Sequence, residues 1–196
     1  MDSYKLAVKI FVEDASSLHG HEFVPIFHSW IQQKKLSDHL VIDVADYEHV
    51  HDGPGTLLIT FEANIATDHE DGRLGLLYIR KQPIKDAETF RHRLHAVIRP
   101  VLQAAQWLEV DATLAGKIKF RTDEFLLRIY DRLLAPNTAD TFAAVKEDLA
   151  AVTTDLFGAP PLSMEFNSSS PESLFEVKVK TPGAATLGDL LAKIRQ

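Results

Sequence analysis

The chain contains no cysteine. Disulfides, thiolate zinc sites, iron–sulfur clusters and a cysteine nucleophile are thereby excluded. Stability must come from packing, for which 196 residues are enough. The opening residues lack the basic stretch and apolar core of a secretory signal. No apolar run nears the roughly 18 residues that a membrane span requires. A cytoplasmic location without a membrane partner is the expectation. Positive charge is also scarce, with 21 Lys and Arg against 28 Asp and Glu, a net of −7. That balance argues against general nucleic-acid binding, which needs a basic surface to displace counterions. Gly-x-Ser-x-Gly, His-Glu-x-x-His, a Walker loop and Gly-x-Gly-x-x-Gly are all missing. No complete catalytic signature is present, and whether the chain is an enzyme stays open at this point.

One stretch, Leu36 to Gly72, has no lysine or arginine but nine acids and four of the nine histidines. The next stretch, Arg73 to Arg99, reverses this with seven basic residues and two acids. Two solvated faces would account for the asymmetry, and so would a basic face for an anionic ligand. The histidines are unevenly placed as well: all lie between His19 and His95.

Hydrophobic periodicity predicts the elements. Strands are expected at 4–12, 40–44, 56–65, 74–80, 118–121, 125–130, 162–166 and 174–180. Helices are expected near 21–34, from Asp86 as N-cap through a stripe ending at Ala105, at 138–157 and at 187–194. Pro100 should kink or divide the second helix. Residues 55–80 read as a β-hairpin whose loop ends in Asp71-Gly72.

The two halves repeat the order strand, helix, strand, strand, helix. Val8-Lys9-Ile10-Phe11 answers Leu127-Arg128-Ile129-Tyr130 in residue class, and at the same offset Phe23 answers Phe142 and Trp30 answers Leu149. The expected fold is α+β, with mixed or antiparallel sheets and helices packed on them. It would be built from two ferredoxin-like βαββα halves arising by internal duplication. The first half would span 1–121, with an added strand and all histidines, and the second 122–196. The two could equally form one compact domain.

Three constellations could carry function. His19-Gly20-His21 and His49-Val50-His51 are His-x-His pairs in loops that follow the first and second strands. In a βαβ unit these loops would end parallel neighbouring strands. With Asp46 they suggest a divalent metal site for zinc, iron or manganese, in which a bound metal would activate water for hydrolysis. Acid-rich soluble loops would explain the same residues. On the second helix, Arg91, His95 and Arg99 are spaced by four and share one face, where they could grip a phosphate or carboxylate. Finally, an exposed strand edge could make a homodimer.

Four strings bear a resemblance: Glu22-Phe23-Val24-Pro25-Ile26-Phe27-His28-x-Trp30-Ile31-Gln32, Ile42-Asp43-Val44-Ala45-Asp46-Tyr47, Gly75-Leu76-Leu77-Tyr78 and Asp131-Arg132-Leu133-Leu134-Ala135-Pro136-Asn137-Thr138. They resemble those of a family of uncharacterised bacterial proteins of about this length. The resemblance implies a bacterial origin and a single-family architecture. It implies no activity, and no site residue carries over from it. The leading expectation is a non-catalytic cytosolic binding or interaction module. The alternatives are a metal-dependent hydrolase using His19, His21, Asp46, His49 and His51, and an anion-binding protein using Arg91, His95 and Arg99.

Overall fold

The computed structural model describes residues 1–50, 54–168, 170 and 172–194. Among these residues are eight strands: β1 (Leu6–Val12), β2 (Val41–Asp46), β3 (Pro54–Thr60), β4 (Ala63–Asp68), β5 (Gly75–Arg80), β6 (Phe120–Ile129), β7 (Ser163–Phe166) and β8 (Phe175–Lys180). They form one sheet in the order β2-β3-β4-β5-β1-β6-β8-β7. Every neighbouring pair is antiparallel. Four α-helices accompany it: α1 (Phe23–Gln32), α2 (Phe90–Glu109), α3 (Ala139–Phe157) and α4 (Leu187–Lys193). The expected α+β class, helices on an antiparallel sheet, is the class observed.

One core joins these layers. Leu6, Val8 and Ile10 of β1 and Leu127 and Ile129 of β6 pack with Phe23, Ile26 and Trp30 of α1, Leu94, Val97 and Val101 of α2, and Val145 and Leu149 of α3. The apolar spacing of three and four along each helix is what turns these residues to one side. The alternate strand residues, Ala7, Lys9, Phe11 and Arg128, lie on the other face of the sheet, where successive side chains of a pleated strand must go.

The two segments separated by α2 meet at the β1–β6 pair. There Val8 lies opposite Leu127, Ala7 opposite Arg128 and Lys9 opposite Leu126. Residues matched between the halves in sequence, Val8 and Leu127, are therefore direct partners. The run β6-β8-β7, with α3 between β6 and β7, has the split βαβ order of a ferredoxin-like half. The boundary expected at 121/122 falls inside β6.

Several expected elements need correction. The single strand at 56–65 is two strands, β3 and β4, so residues 54–80 form a three-stranded meander and not a hairpin. The turn between them is Phe61-Glu62, tied by the Thr60 hydroxyl, which donates to the Ala63 carbonyl at 2.7 Å and accepts from the Ala63 N–H at 2.9 Å. The strands expected at 118–121 and 125–130 are one, β6. Its polar middle tolerates the sheet because Glu124 faces Lys180 in register and pairs with Arg73 and Lys178. Asp86 is not the cap of α2. It adopts a left-handed φ of 61° in the preceding turn, and the Thr89 side chain accepts the His92 N–H instead. Pro100 does not divide α2, which runs unbroken from Phe90 to Glu109. Of the two N-caps the sequence offers for α3, Asn137 and Thr138, Thr138 is the one used, and Gly158 ends the helix in a left-handed conformation.

Candidate anion-binding site

The two His-x-His loops come near each other. The Thr56 hydroxyl of β3 donates to the Gly20 carbonyl at 3.2 Å, and the Glu48 carboxylate lies where a side chain at Gly20 would begin. They do so without the expected strand geometry: β1 and β2 are separated in the sheet by β5, β4 and β3. His19, His21, Asp46 and His49 are all exposed. The rings of His19 and His21 stack at 5.6 Å between centroids, and His49 stacks on Tyr47. Asp46 accepts the Glu48 N–H at 3.0 Å. Glu22 accepts the His19 N–H and pairs with Lys117, and this ammonium first, then the N–H, holds its carboxyl below the usual range. His51 lies outside the described residues. Among the described residues no three His, Asp or Glu side chains gather as a metal-ligand set.

The second constellation is divided by its partners. Arg91 grips Asp155 of α3 with Nε at 3.0 Å and Nη2 at 2.5 Å, and His95 Nε2 reaches the same carboxylate at 2.9 Å. Burial opposes ionisation of Asp155, but hydrogen bonds from Arg91 and His95 hold its carboxyl below the ordinary range. Two of the three candidate anion ligands thus fasten α2 to α3. Arg99, one turn further on, is half-buried and has no hydrogen bond or ion pair among the described residues.

Arg99 stands between two adjoining clefts. The first, about 680 Å³, is lined by Arg99, His92, His95 and Ala96 of α2, Lys85 of the preceding connection, Lys193 of α4 and Asp155. The second, about 380 Å³, is lined by Arg99, Ala96, Gln103 and Trp107 of α2, the 35–39 segment, and Tyr78 and Arg80 of β5. Both lie within the size range of small-molecule sites. Lys85 and Lys193 add two exposed ammonium groups to the first. Pro100, lacking an N–H, withholds the regular helical donor from the Ala96 carbonyl in the wall the clefts share.

The floor of the second cleft is organised. Tyr78 OH and His39 Nε2 are 2.9 Å apart, and Arg80 Nη1 approaches the same hydroxyl at 3.4 Å. Arg80 is itself held by the Gln82 and Pro83 carbonyls. Burial, reinforced by the Arg80 charge, lowers the His39 pKa, so its ring is neutral near neutral pH. Burial likewise raises the Tyr78 pKa and keeps its hydroxyl protonated.

A further set of charges, on the face of the sheet away from the α-helices, is not signalled by any sequence motif. Lys9 Nζ lies 2.6 Å from Asp68 Oδ2 and donates to the Glu70 carbonyl at 3.0 Å, with side-chain exposures of 0% for Lys9 and 5% for Asp68. Arg128 pairs with Glu70 at 2.6 Å and with Glu176, and donates to Tyr130 OH. Burial works against its charge, yet Tyr130, Glu176 and Glu70 raise its pKa above the usual arginine value. The available signal was a basic residue at the same place in two otherwise apolar runs, Lys9 in 6–12 and Arg128 in 125–130.

No protein-family model, curated protein or solved structure significantly matches the chain. No helix among the described residues is long and apolar enough to cross a membrane.

Proposed function

We propose that the chain is a non-catalytic binding protein for a small anion, held on the flank of α2 with Arg99 as its principal ligand. The carrying observation is a half-buried guanidinium between two clefts with no acceptor of its own among the described residues. An unpaired guanidinium in a cleft offers an entering phosphate or carboxylate a planar fork of charged donors. Lys85 and Lys193 supply further attraction at the mouth. Arg91 and His95 are engaged with Asp155 and fasten α2 to α3, so they are not assigned to the anion.

Titration calorimetry with inorganic phosphate tests the reading. Binding should be measurable and should weaken about tenfold or more in Arg99→Gln, since hydrogen bonds to charged groups contribute roughly 1.5–3 kcal/mol. Arg91→Gln should retain the wild-type affinity. Phosphate binding that is unchanged in Arg99→Gln overturns the proposal.

A further inference from the structure

The two clefts differ in chemistry although they share Arg99 and Ala96. The first joins the Lys85 and Lys193 ammonium groups to the carboxylates of Asp86 and Asp155, and has imidazoles but no larger aromatic ring. The second has an aromatic wall in Trp107 and fixed neutral hydrogen-bonding groups in His39, Tyr78 and Gln103. Resting on the anion-binding reading, we infer that the ligand is an organic anion bearing a planar ring. Its anionic group sits on Arg99, and its ring lies in the second cleft beside Trp107 and His39.

Four observations converge on this assignment. Trp107 is only partly buried, while its position is fixed by the edge contact of its ring with Trp30 at 5.2 Å. Lys35 Nζ lies 5.6 Å from the Trp107 ring centre, so one side of that ring already holds a cation within the same cleft. His39 is neutral and engages Tyr78 through Nε2, which leaves its other ring nitrogen without a partner among the described residues. With Tyr78 OH donating to Nε2, that nitrogen carries the proton and is a donor. A flat surface, a fixed donor and an adjacent guanidinium recognise a ring with an acceptor and a nearby anionic group. A bare inorganic ion would leave Trp107 and His39 unused.

The test compares three probes by calorimetry: inorganic phosphate, glycerol 3-phosphate and phenyl phosphate. The last two carry the same anionic group, and only one has a ring. Phenyl phosphate should bind about fivefold or more tightly than glycerol 3-phosphate, the scale of an aromatic contact. Trp107→Leu should erase that preference while leaving phosphate affinity in place. Because Trp107 touches the core residue Trp30, Gln103→Trp provides a second arm that leaves Trp107 intact: filling the cleft should abolish the ring preference alone. Equal affinity for the two esters, or a preference that survives both variants, overturns the ring assignment and leaves anion binding standing. Absence of binding by all three probes, or binding indifferent to Arg99→Gln, overturns both readings.

Discussion

Lys9 and Arg128, on the face of the sheet away from the α-helices, are almost wholly buried and matched by carboxylates, whereas Arg99, on the flank of α2, is half-buried with none among the described residues. The two regions show how the same charge chemistry serves different ends. Taking a cation out of water is tolerated inside a fold only when partners are built in beside it. Lys9 has Asp68 and the Glu70 carbonyl, and Arg128 has Glu70, Glu176 and Tyr130, so Glu70 joins the two. Such a network holds the strands and the 68–73 connection together. Arg99 has the opposite balance, and the proposed anion site lies beside it on the helical side.

The sharpest way to break this contrast is to remove one member of the buried network. Lys9→Met leaves Asp68 buried without its cation, and should cost about 3–5 kcal/mol in urea unfolding. Adding Asp68→Asn should restore much of that loss, since replacing both partners removes the uncompensated charge. A Lys9→Met protein of unchanged stability would show that the pair is not structurally required.

Next in size is Gly75→Ala. A β-carbon there would meet the Ile10 carbonyl and Lys9 Cε, each at 2.6 Å, in the centre of the sheet. The backbone cannot yield cheaply, and a loss of about 1–3 kcal/mol is expected in the same unfolding measurement. The effect should be smaller in a Lys9→Met background, because one of the two obstructing atoms is then a more adaptable side chain.

The α2–α3 fastening should matter less. Arg91→Ala removes a partly exposed ion pair, with Arg91 at 46% side-chain exposure, and should cost at most about 1 kcal/mol. Its pH dependence has a defined sign. The Asp155 pKa is lowered in the folded protein, so its contribution is present above the unfolded carboxylate value and is lost as pH falls through the folded one. Glu124, lowered chiefly by its hydrogen bonds from Arg73, acts in the same direction. Thermal melts taken from pH near 5 downward should therefore fall less steeply in Asp155→Asn than in wild type. An equal slope would mean that Asp155 is not linked to folding.

The smallest effect on stability should come from Arg99→Gln, which breaks no hydrogen bond or ion pair within the described residues and should shift unfolding by no more than about 0.5 kcal/mol. Paired with its expected loss of phosphate affinity, this near-neutrality separates a ligand-binding arginine from a structural one. A destabilisation as large as that of Lys9→Met would erase the distinction between the two regions.

Much of this architecture is legible in the chain. The apolar stripe from Phe90 to Ala105 and the alternation along β1, β6 and β8 follow from local periodicity, because each element must turn one side to the core. The capping of α3 by Thr138 and its end at Gly158 are local as well. The turn at Phe61-Glu62 was not legible. It contains neither glycine, proline nor asparagine, and it is closed by the Thr60 hydroxyl, an interaction that composition does not reveal. The start of α2 was misread because Asp86 and Thr89 are both acceptable caps, and the left-handed backbone at Asp86 selects the second.

The candidate site shows the same division. Spacing by four placed Arg91, His95 and Arg99 on one flank of α2, a consequence of helical geometry that any chain segment obeys. It could not say which of them was free. That was decided by Asp155, 64 residues beyond Arg91 and brought alongside only when α3 packs against α2. The second cleft likewise joins His39, Tyr78, Arg99 and Trp107 from separate parts of the chain. The His-x-His loops were drawn together by the fold, but the described side chains stay exposed and do not converge. Local periodicity by itself determined the elements and the face on which each basic residue lies, because those depend on backbone geometry. Only tertiary packing decided which charges were neutralised and which were left facing a cleft, because pairing and desolvation depend on what distant segments bring beside them.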